Sequence, residues 1–474
     1  MLATALLGLP VYAADRIYYN PFTALPELGA TALAVAGLLA LTGSVLATFI
    51  VIHLVLAANY MKFFFLREGL VPTDLELLGE TWQAAGSGVR MAVVLVTAIG
   101  LAVTFLFANR DRWRSRATIV AAIAGGLWIA LMQPAAVKAA LFPGDYERYW
   151  QPGSEFQARG FFTSFAMVAL NTKVLKADLS RLPFLAHPPS YDLRGRPLPL
   201  PEKPADVHIV LLESFIAPED LTALSYRRLP GSPTTRDVAR ESSSYAFSPT
   251  AGGKTARAEF EVLCGIPDFE LFGSLTFNQL GGGKVDCLPA RLSAHGYRSV
   301  ASQALPASFF NIGRAYRSLG FDEQLLASDF IFDDMDGAWL SNPSALGQNL
   351  DLVRDHATRH GDRPLLNYVV LGAGHYPFDR DRNRRPDLVA SQPADHLADR
   401  IVNHSLHTLD ALAEWLAALR AMDRPSIIIL FADHLPPVSD DFLERTGYRG
   451  FDRAKPITGR RTFLLVLRDF EPAP

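Results

Sequence analysis

The chain has 474 residues, with 48 acidic against 45 basic side chains and a net charge of -3. That balance excludes a general nucleic-acid binder, whose phosphate contacts need a basic surface. A hydrophobic content of 49% with only 20% charged residues, in a chain too long for one ordinary domain, places part of the molecule outside water.

The apolar residues are concentrated at the start. Residues 31–58, 92–108 and 117–137 carry no charged side chain, and each run supplies most of the about 20 residues that a bilayer-crossing helix needs. The sequence therefore predicts a membrane region over residues 1–137, with helices at about 31–58, 88–108 and 117–137. A shorter apolar stretch, Leu2 to Ala14, fits a re-entrant piece, a signal-like segment or a truncated helix equally well. The short loop Asn109 to Arg116 holds four Arg against one Asp, so the positive-inside rule puts it in the cytoplasm and the chain after the third helix outside. Glu68, Asp74, Glu76 and Glu80, between the first and second helices, agree with the opposite side. His53, near the end of an apolar run, is a weak functional hint.

Residues 138–204 read as a juxtamembrane segment, with a helix at Phe161 to Ala177 and a Pro-rich linker from Pro183 to Pro204 that marks a domain boundary. Beyond it, in residues 205–474, strand-like runs recur at Val207 to Leu212, Ser299 to Ser302, Leu366 to Leu371, Ser426 to Ala432 and Thr462 to Leu467. The clearest helix is Asp395 to Arg420, where Leu397, Ile401, Leu409, Leu412, Leu416 and Leu419 share one face. Strands alternating with helices predict an α/β domain with a central, mostly parallel sheet flanked by helices. Cys264 and Cys287 lie in this external part, where a disulfide is permitted but not required.

Chemistry in such sheets gathers beyond the carboxyl ends of the strands. Asp433 and His434 follow the run Ser426 to Ala432, and Glu213 follows Val207 to Leu212, so an imidazole and two carboxylates at neighbouring strand ends would cradle a divalent metal. Ala251 to Glu261 carries Gly252 and Gly253 before Lys254 and Thr255. A phosphate-loop reading fails because Ser248 stands where that pattern needs glycine. The glycines instead let the backbone approach a bound group, and Thr255 opens a helix whose amino end favours negative charge; the plainer reading makes Thr255 an N-cap. Beside a metal, the Thr255 hydroxyl would become a nucleophile. His375, in the Gly-rich turn Gly372 to Phe378, could bind a phosphate oxygen or protonate a leaving group. His356, His360, His396, His404 and His407 read as surface residues, and the charged run Asp379 to Asp387 as a solvated loop near an anionic headgroup.

Together, LLESF (211–215), GGKTARAEFE (252–261), GHYPF (374–378) and ADH (432–434) resemble the lipoteichoic acid synthase and phosphoglycerol transferase family, within the alkaline phosphatase and sulfatase superfamily. NYMKFFFLREGLVPTDLELL (59–78) is similar to the segment between membrane helices in those proteins, so the resemblance covers essentially the whole chain. It implies Glu213, Thr255, Asp433 and His434 as ligands of a divalent ion (Mn2+, with Mg2+ or Zn2+ as alternatives), Thr255 as nucleophile and His375 as a contact to substrate phosphate. The headgroup region departs from the family pattern. Gln303 stands at a His position, Phe310 at a Trp and Ile312 at an Arg, with Arg314 two residues later as the substitute. The family usually has five membrane helices, so the membrane region here reads as reduced.

The resemblance implies a multi-pass protein of the bacterial cytoplasmic (inner) membrane with a periplasmic or extracellular catalytic domain. Its expected activity is transfer of glycerol phosphate from phosphatidylglycerol, through a phospho-threonine intermediate, to a glycan or glycerophosphate acceptor. A phosphoethanolamine transferase or sulfatase-like hydrolase would use the same metal cradle. A non-catalytic membrane sensor or glycan-binding module would keep the fold without needing the ion.

Overall fold

The computed structural model describes residues 25–66, 69–77, 113–133, 160–178, 204–230, 244–250, 252–265, 276–280, 285–451 and 461–472, with isolated positions between 90 and 102 and at 136–137. The chain divides into two compact units, Met1–Leu182 with Asp268–Leu275, and Pro183–Pro267 with Thr276–Pro474.

In the first unit the described helices are α1 (Leu25–Thr42), α2 (Val45–Leu66), α3 (Trp113–Met132) and α4 (Phe161–Asp178). The charge-free run 31–58 is thus divided between two helices. Gly43 adopts φ 65 and its N–H closes on Leu39 O, while the Ser44 hydroxyl accepts the Ala47 N–H, so one helix is ended and the next begun within two residues. The run 117–137 falls largely on α3; 88–108 lies mostly, and 2–14 wholly, outside the described residues. Among the described residues no helix is long and apolar enough to cross a membrane. Val35, Ile52, Leu56, Val71, Phe161 and Met167 form this unit's core. After α2 the chain folds back on itself: Lys62 Nζ donates to Gly69 O at 2.9 Å and to Asp74, and the Asn59 side-chain oxygen accepts the Leu70 N–H at 2.7 Å. His53 bonds its own helix at Phe49 O, a structural role.

The second unit is built on strands β1 (Asp206–Leu212), β2 (Ser225–Arg228), β3 (Ser244–Phe247), β4 (Arg298–Gln303), β5 (Glu323–Leu325), β6 (Met335–Asp336), β7 (Trp339–Leu340), β8 (Leu365–Leu371), β9 (Val389–Gln392), β10 (Ser426–Ala432), β11 (Arg461–Arg468) and β12 (Glu471–Pro472). Its helices are α5 (Thr255–Cys264), α6 (Leu288–Ala294), α7 (Ile312–Leu319), α8 (Asn342–His360), α9 (His396–Arg420) and α10 (Asp440–Arg445). The main sheet runs β12-β11-β10-β1-β8-β4-β5, with β3 paired to β11. From β10 to β5 all neighbours are parallel, and β11 is antiparallel to β10.

β1 and β8 sit at the centre and are buried along nearly their whole length because both faces are covered, with Asp206, His208 and Asn367 the polar residues among apolar ones. One face, including Val210, Leu212, Val369, Leu371, Ile428 and Leu430, packs with Leu346 and Val353 of α8 and Leu409, Leu412, Leu416 and Leu419 of α9. The opposite face carries Tyr368, against which Tyr316 of α7 packs edge-on at 6.1 Å. The apolar stripe of α9 serves two cores, since Ile401 and Leu397 join a separate cluster with Ile216, Leu221 and Phe442. Cys264, the last residue of α5, is disulfide-bonded to Cys287, the N-cap of α6.

Three of the surface assignments are corrected. His356 and His404 are buried on the inner faces of α8 and α9, and His407 is half-buried with its Nε2 on Pro386 O. Helical spacing alone left these histidines outside because it does not say how wide the covered face is. The charged run 379–387 is solvated only in part: Asp379, Arg382, Asn383 and Arg384 are exposed, but two arginines are not. Arg385 is buried, with hydrogen bonds of 2.6 and 2.9 Å to Asp334 and 3.0 Å to Asp336, and Arg380 is buried against Asp387.

Burial pushes His208 of β1 down to about 4 and His404 down to about 3, below the ordinary histidine value. Unfolding therefore takes up protons below about pH 6.5, and stability falls as pH drops from there towards the folded values, by about 1.4 kcal/mol per unit for each ring. His404→Leu is expected to remove about one proton from that slope between about pH 6.5 and 5, read from denaturant midpoints at several pH values. An unchanged slope would refute the assignment.

Candidate active site

Adjacent strands deliver the candidate residues in spatial order: Asp433 and His434 beyond β10, Glu213 beyond β1, His375 beyond β8 and Gln303 at the end of β4. Phe431, Leu211, Val370 and Gln303 occupy one register row, so the site lies just past a level edge. Parallel pairing sets this order, and neighbours in it are about 4.8 Å apart.

Three of the predicted ligands converge. Atoms of Glu213, Asp433 and His434 able to bind a metal lie within 4.8 Å of one another, and all three side chains are buried. His434 Nδ1 lies 2.9 Å from Leu435 O, a partner that can only accept, which leaves Nε2 with its lone pair exposed. That lone pair faces Asp433 Oδ2 at 3.1 Å and Glu213 Oε1 at 3.6 Å. Among the described residues neither Nε2 nor Oδ2 has a hydrogen-bond partner. Acceptors aimed at one another in a dry setting need a proton or a cation between them, and this nitrogen and carboxylate set suits a divalent ion. Burial and the adjacent Glu213 push Asp433 up to about 7. Glu213, which burial alone would raise, is held below its usual value by His434 and His375 and by the Ser214 and Thr255 hydroxyls.

Ser214 organises the pair. It is held at φ 52, a left-handed conformation that a serine rarely adopts, which aims its N–H at Asp433 Oδ1 (3.0 Å) and its hydroxyl at Glu213 Oε1 (2.8 Å). The His434 N–H donates to the same Asp433 oxygen at 2.8 Å.

Thr255 is the first residue of α5 and its hydroxyl donates to Glu213 Oε2 at 3.2 Å. The N-cap is Lys254, at φ 67 and with no side-chain cap, so Thr255 is not the cap and its hydroxyl is turned to the carboxylates. The approach to α5 is pinned to the loop after β10: Gly252 N–H donates to Leu435 O at 3.0 Å, the Ser248 hydroxyl donates to Asp433 O, and the Thr250 hydroxyl closes the turn on Gly253 O.

His375 is exposed, with its ring stacked on Trp339 at 4.8 Å and 29°. Gln303 is buried and tied to Tyr316 at 2.8 Å. Phe310 and Asn311 form a left-handed pair, at φ 46 and 59, between β4 and α7, with the Phe310 ring edge-on to Phe309. Arg314 is exposed on α7 and, among the described residues, makes no hydrogen bond or ion pair, including to Glu213, Asp433 or His434. Sequence reading missed Ser214, Ser248, Trp339, Glu259 and Tyr316. Only Ser214 left a local signal, directly after Glu213.

The sulfatase family model matches residues 205–458, more than half of the chain. The chain belongs to the sulfatase family. Among curated relatives of this family member is a Rhizobium meliloti protein named for cyclic beta-1,2-glucan modification, 27% identical over 317 residues, which are 63% of this chain and 46% of the relative. The chain thus spans about half of that relative's length. Similar solved structures include the lipoteichoic acid synthase LtaP of Listeria monocytogenes (20% identity, 55% of this chain and 65% of that one, TM-score 0.45). Another is the lipooligosaccharide phosphoethanolamine transferase EptA of Neisseria meningitidis (12% identity, 98% and 88%, TM-score 0.48).

Asp433→Asn in this sulfatase-family chain is expected to lower divalent-ion affinity by about a hundredfold or more, because it removes the charge that faces the His434 lone pair. Metal analysis of the purified full chain tests this. Stoichiometric ion retained after brief chelation would contradict it.

Proposed function

We propose that the chain is a membrane-anchored phosphoglycerol transferase that moves glycerol phosphate from phosphatidylglycerol, through a phospho-threonine at Thr255, to an extracytoplasmic glycan or glycerophosphate acceptor. One observation carries the reading: the buried lone pairs of His434 and Asp433 face each other at 3.1 Å, and the Thr255 hydroxyl is bonded to the third member of the set, Glu213. Glu213, Asp433, His434 and the Thr255 hydroxyl would hold the divalent ion, with Mn2+, Mg2+ and Zn2+ all compatible with these donors. When bound, such an ion makes a hydroxyl easier to deprotonate and offsets charge on phosphoryl oxygens.

The chain's own residues do the rest. Thr255 Oγ1 bonds to phosphorus as the bond from phosphorus to the diacylglycerol oxygen breaks, and Glu213 Oε2, which already accepts a hydrogen bond from that hydroxyl, takes its proton. The amino end of α5, which has no side-chain cap, adds N–H donors for the phosphate. His375, held by Trp339, contacts the phosphate or protonates the departing oxygen. An acceptor hydroxyl then attacks the phospho-threonine and regenerates Thr255.

The family motifs support glycerol phosphate as the group moved, and the relative named for glucan modification supports a glycan acceptor. The charge-free runs, the Arg-rich loop 109–116 and the Cys264–Cys287 disulfide support a multi-pass protein of the bacterial inner membrane with residues 205–474 outside the cytoplasm. Phosphoethanolamine transfer by the same residues is the competing reading, and the departures at Gln303, Phe310 and Ile312 are what favour keeping it.

The test offers the full chain, with a divalent ion, either phosphatidylglycerol or phosphatidylethanolamine, and follows diacylglycerol and the mass of the Thr255 peptide. Consumption of phosphatidylglycerol with a glycerophosphoryl adduct is expected. Consumption of phosphatidylethanolamine alone selects the competing reading, and release of diacylglycerol from neither lipid sinks both.

A further inference from the structure

The Tyr316 hydroxyl carries one hydrogen, yet its oxygen lies 2.8 Å from Glu259 Oε2 and 2.8 Å from Gln303 Oε1. The Tyr368 hydroxyl donates to the same Glu259 oxygen at 3.0 Å. All four residues are buried. One hydrogen cannot serve two acceptors, so a second proton must enter the chain of bonds. Two arrangements give each of these three bonds one hydrogen. In the first, Glu259 is a carboxylic acid that donates to the Tyr316 oxygen, Tyr316 donates to Gln303 Oε1, and the Gln303 NH2 points away. In the second, Glu259 is ionised and takes the Tyr316 hydrogen, while the Gln303 amide turns over, donates its own N–H to the Tyr316 oxygen and points its carbonyl away.

We infer that Glu259, acting through Tyr316, sets which end of the Gln303 amide is presented to the headgroup phosphate, and is therefore a positioning residue for substrate. The inference rests on the reading above that a phosphate is transferred at Thr255. Glu259 lies on α5 one turn beyond Thr255, on the same face. Gln303 ends β4 in the register row that leads, two residues later on β1 and β10, to Glu213 and Asp433, and its amide nitrogen makes no hydrogen bond among the described residues. An outward NH2 offers donors to a phosphate; an outward carbonyl offers only repulsion.

Both arrangements are accessible near neutrality. Burial pushes Glu259 up to about 7 against the donations of Tyr316 and Tyr368, and Asp433 and Glu213 act in the same upward direction. These are the groups that face it, Tyr316 from α7, Tyr368 from β8, Glu213 beyond β1 and Asp433 beyond β10.

The test measures the KM for phosphatidylglycerol of the full chain with its divalent ion, by diacylglycerol release, between about pH 5.5 and 8.5. In the unaltered protein the donor KM is expected to rise about tenfold across one titration. Glu259→Gln, which cannot ionise, should abolish that step, and Tyr316→Phe, which leaves the Gln303 amide free to turn, should raise the low-pH KM with little change in kcat. Retention of the step in Glu259→Gln, or an unchanged KM in Tyr316→Phe, overturns the inference. If the unaltered chain releases no diacylglycerol, the transferase reading has failed separately. Neutron diffraction of the full chain at the two pH extremes then decides, since an amide orientation that does not follow the Glu259 proton is fatal.

Discussion

Replacing Thr255 by alanine is expected to lower diacylglycerol release by at least about a thousandfold and to remove any phosphorylated peptide. In the proposed mechanism the hydroxyl that bonds Glu213 Oε2 is the attacking atom, and among the described residues no other hydroxyl is held by a carboxylate of the cluster except that of Ser214, which is committed to Glu213 Oε1. The fold should tolerate the change, because alanine suits the first position of a helix at least as well as threonine. Thr255→Ser keeps an oxygen in place and should retain measurable turnover. The divalent ion should remain, at reduced affinity, since Glu213, Asp433 and His434 are untouched. Diacylglycerol release by Thr255→Ala at the unaltered rate would rule out the covalent route.

The second large effect is expected at a residue that does no chemistry. A Cβ on Gly374 would lie 2.0 Å from the backbone oxygen of Glu213, a contact with main chain that no rotamer can relieve. Gly374→Ala must push β1 and the turn after β8 apart at the point where Glu213 is aimed. A loss of about 3 kcal/mol or more, the upper end for overpacking, is expected together with weakened metal binding. Gly372→Ala is the control, because its Cβ would meet only the Trp339 side chain, at 3.1 Å, and a side chain can shift. Thermal midpoints and metal content of the two variants should separate clearly; equal effects would mean that the approach to Glu213 is not what demands glycine.

The parts of this site that could be read from sequence were those in which fold and chemistry share one segment. Ile427 to Phe431 is apolar because both faces of β10 are covered, and the doublet that follows it stands at the carboxyl edge because the strand is parallel. Glu213, Thr255 and His375 were proposed in the same way, each directly attached to a strand or a Gly-rich turn. The fold class followed from the same alternation, and the sulfatase match over residues 205–458 agrees with it. What sequence could not supply were pairings across long separations. Ser214 and Asp433 are 219 residues apart, and Glu259 and Tyr368 are 109 apart. Periodicity also misjudged charge. Arg380 and Arg385 belong to a run that looks solvated, and only Asp334, Asp336 and Asp387 explain why two guanidinium groups can be buried there. His404 was misplaced for a related reason: a neutral imidazole can be packed like an apolar ring, which its letter does not reveal.

The disulfide ties the seating of Thr255 to the redox state of the compartment that holds the chain. Thr255 opens α5 and Cys264 closes it, so the far end of that single short helix is covalently tied to the start of α6. In a reducing cytoplasm the tie is absent, and the helix is held by packing and by the hydrogen bonds of Thr255 and Glu259. If the chain works as proposed, it would acquire a fully seated Thr255 only after export. Mild thiol reduction of the purified chain should accordingly lower kcat before the sheet unfolds, and equal turnover in both redox states would show that export does not arm it.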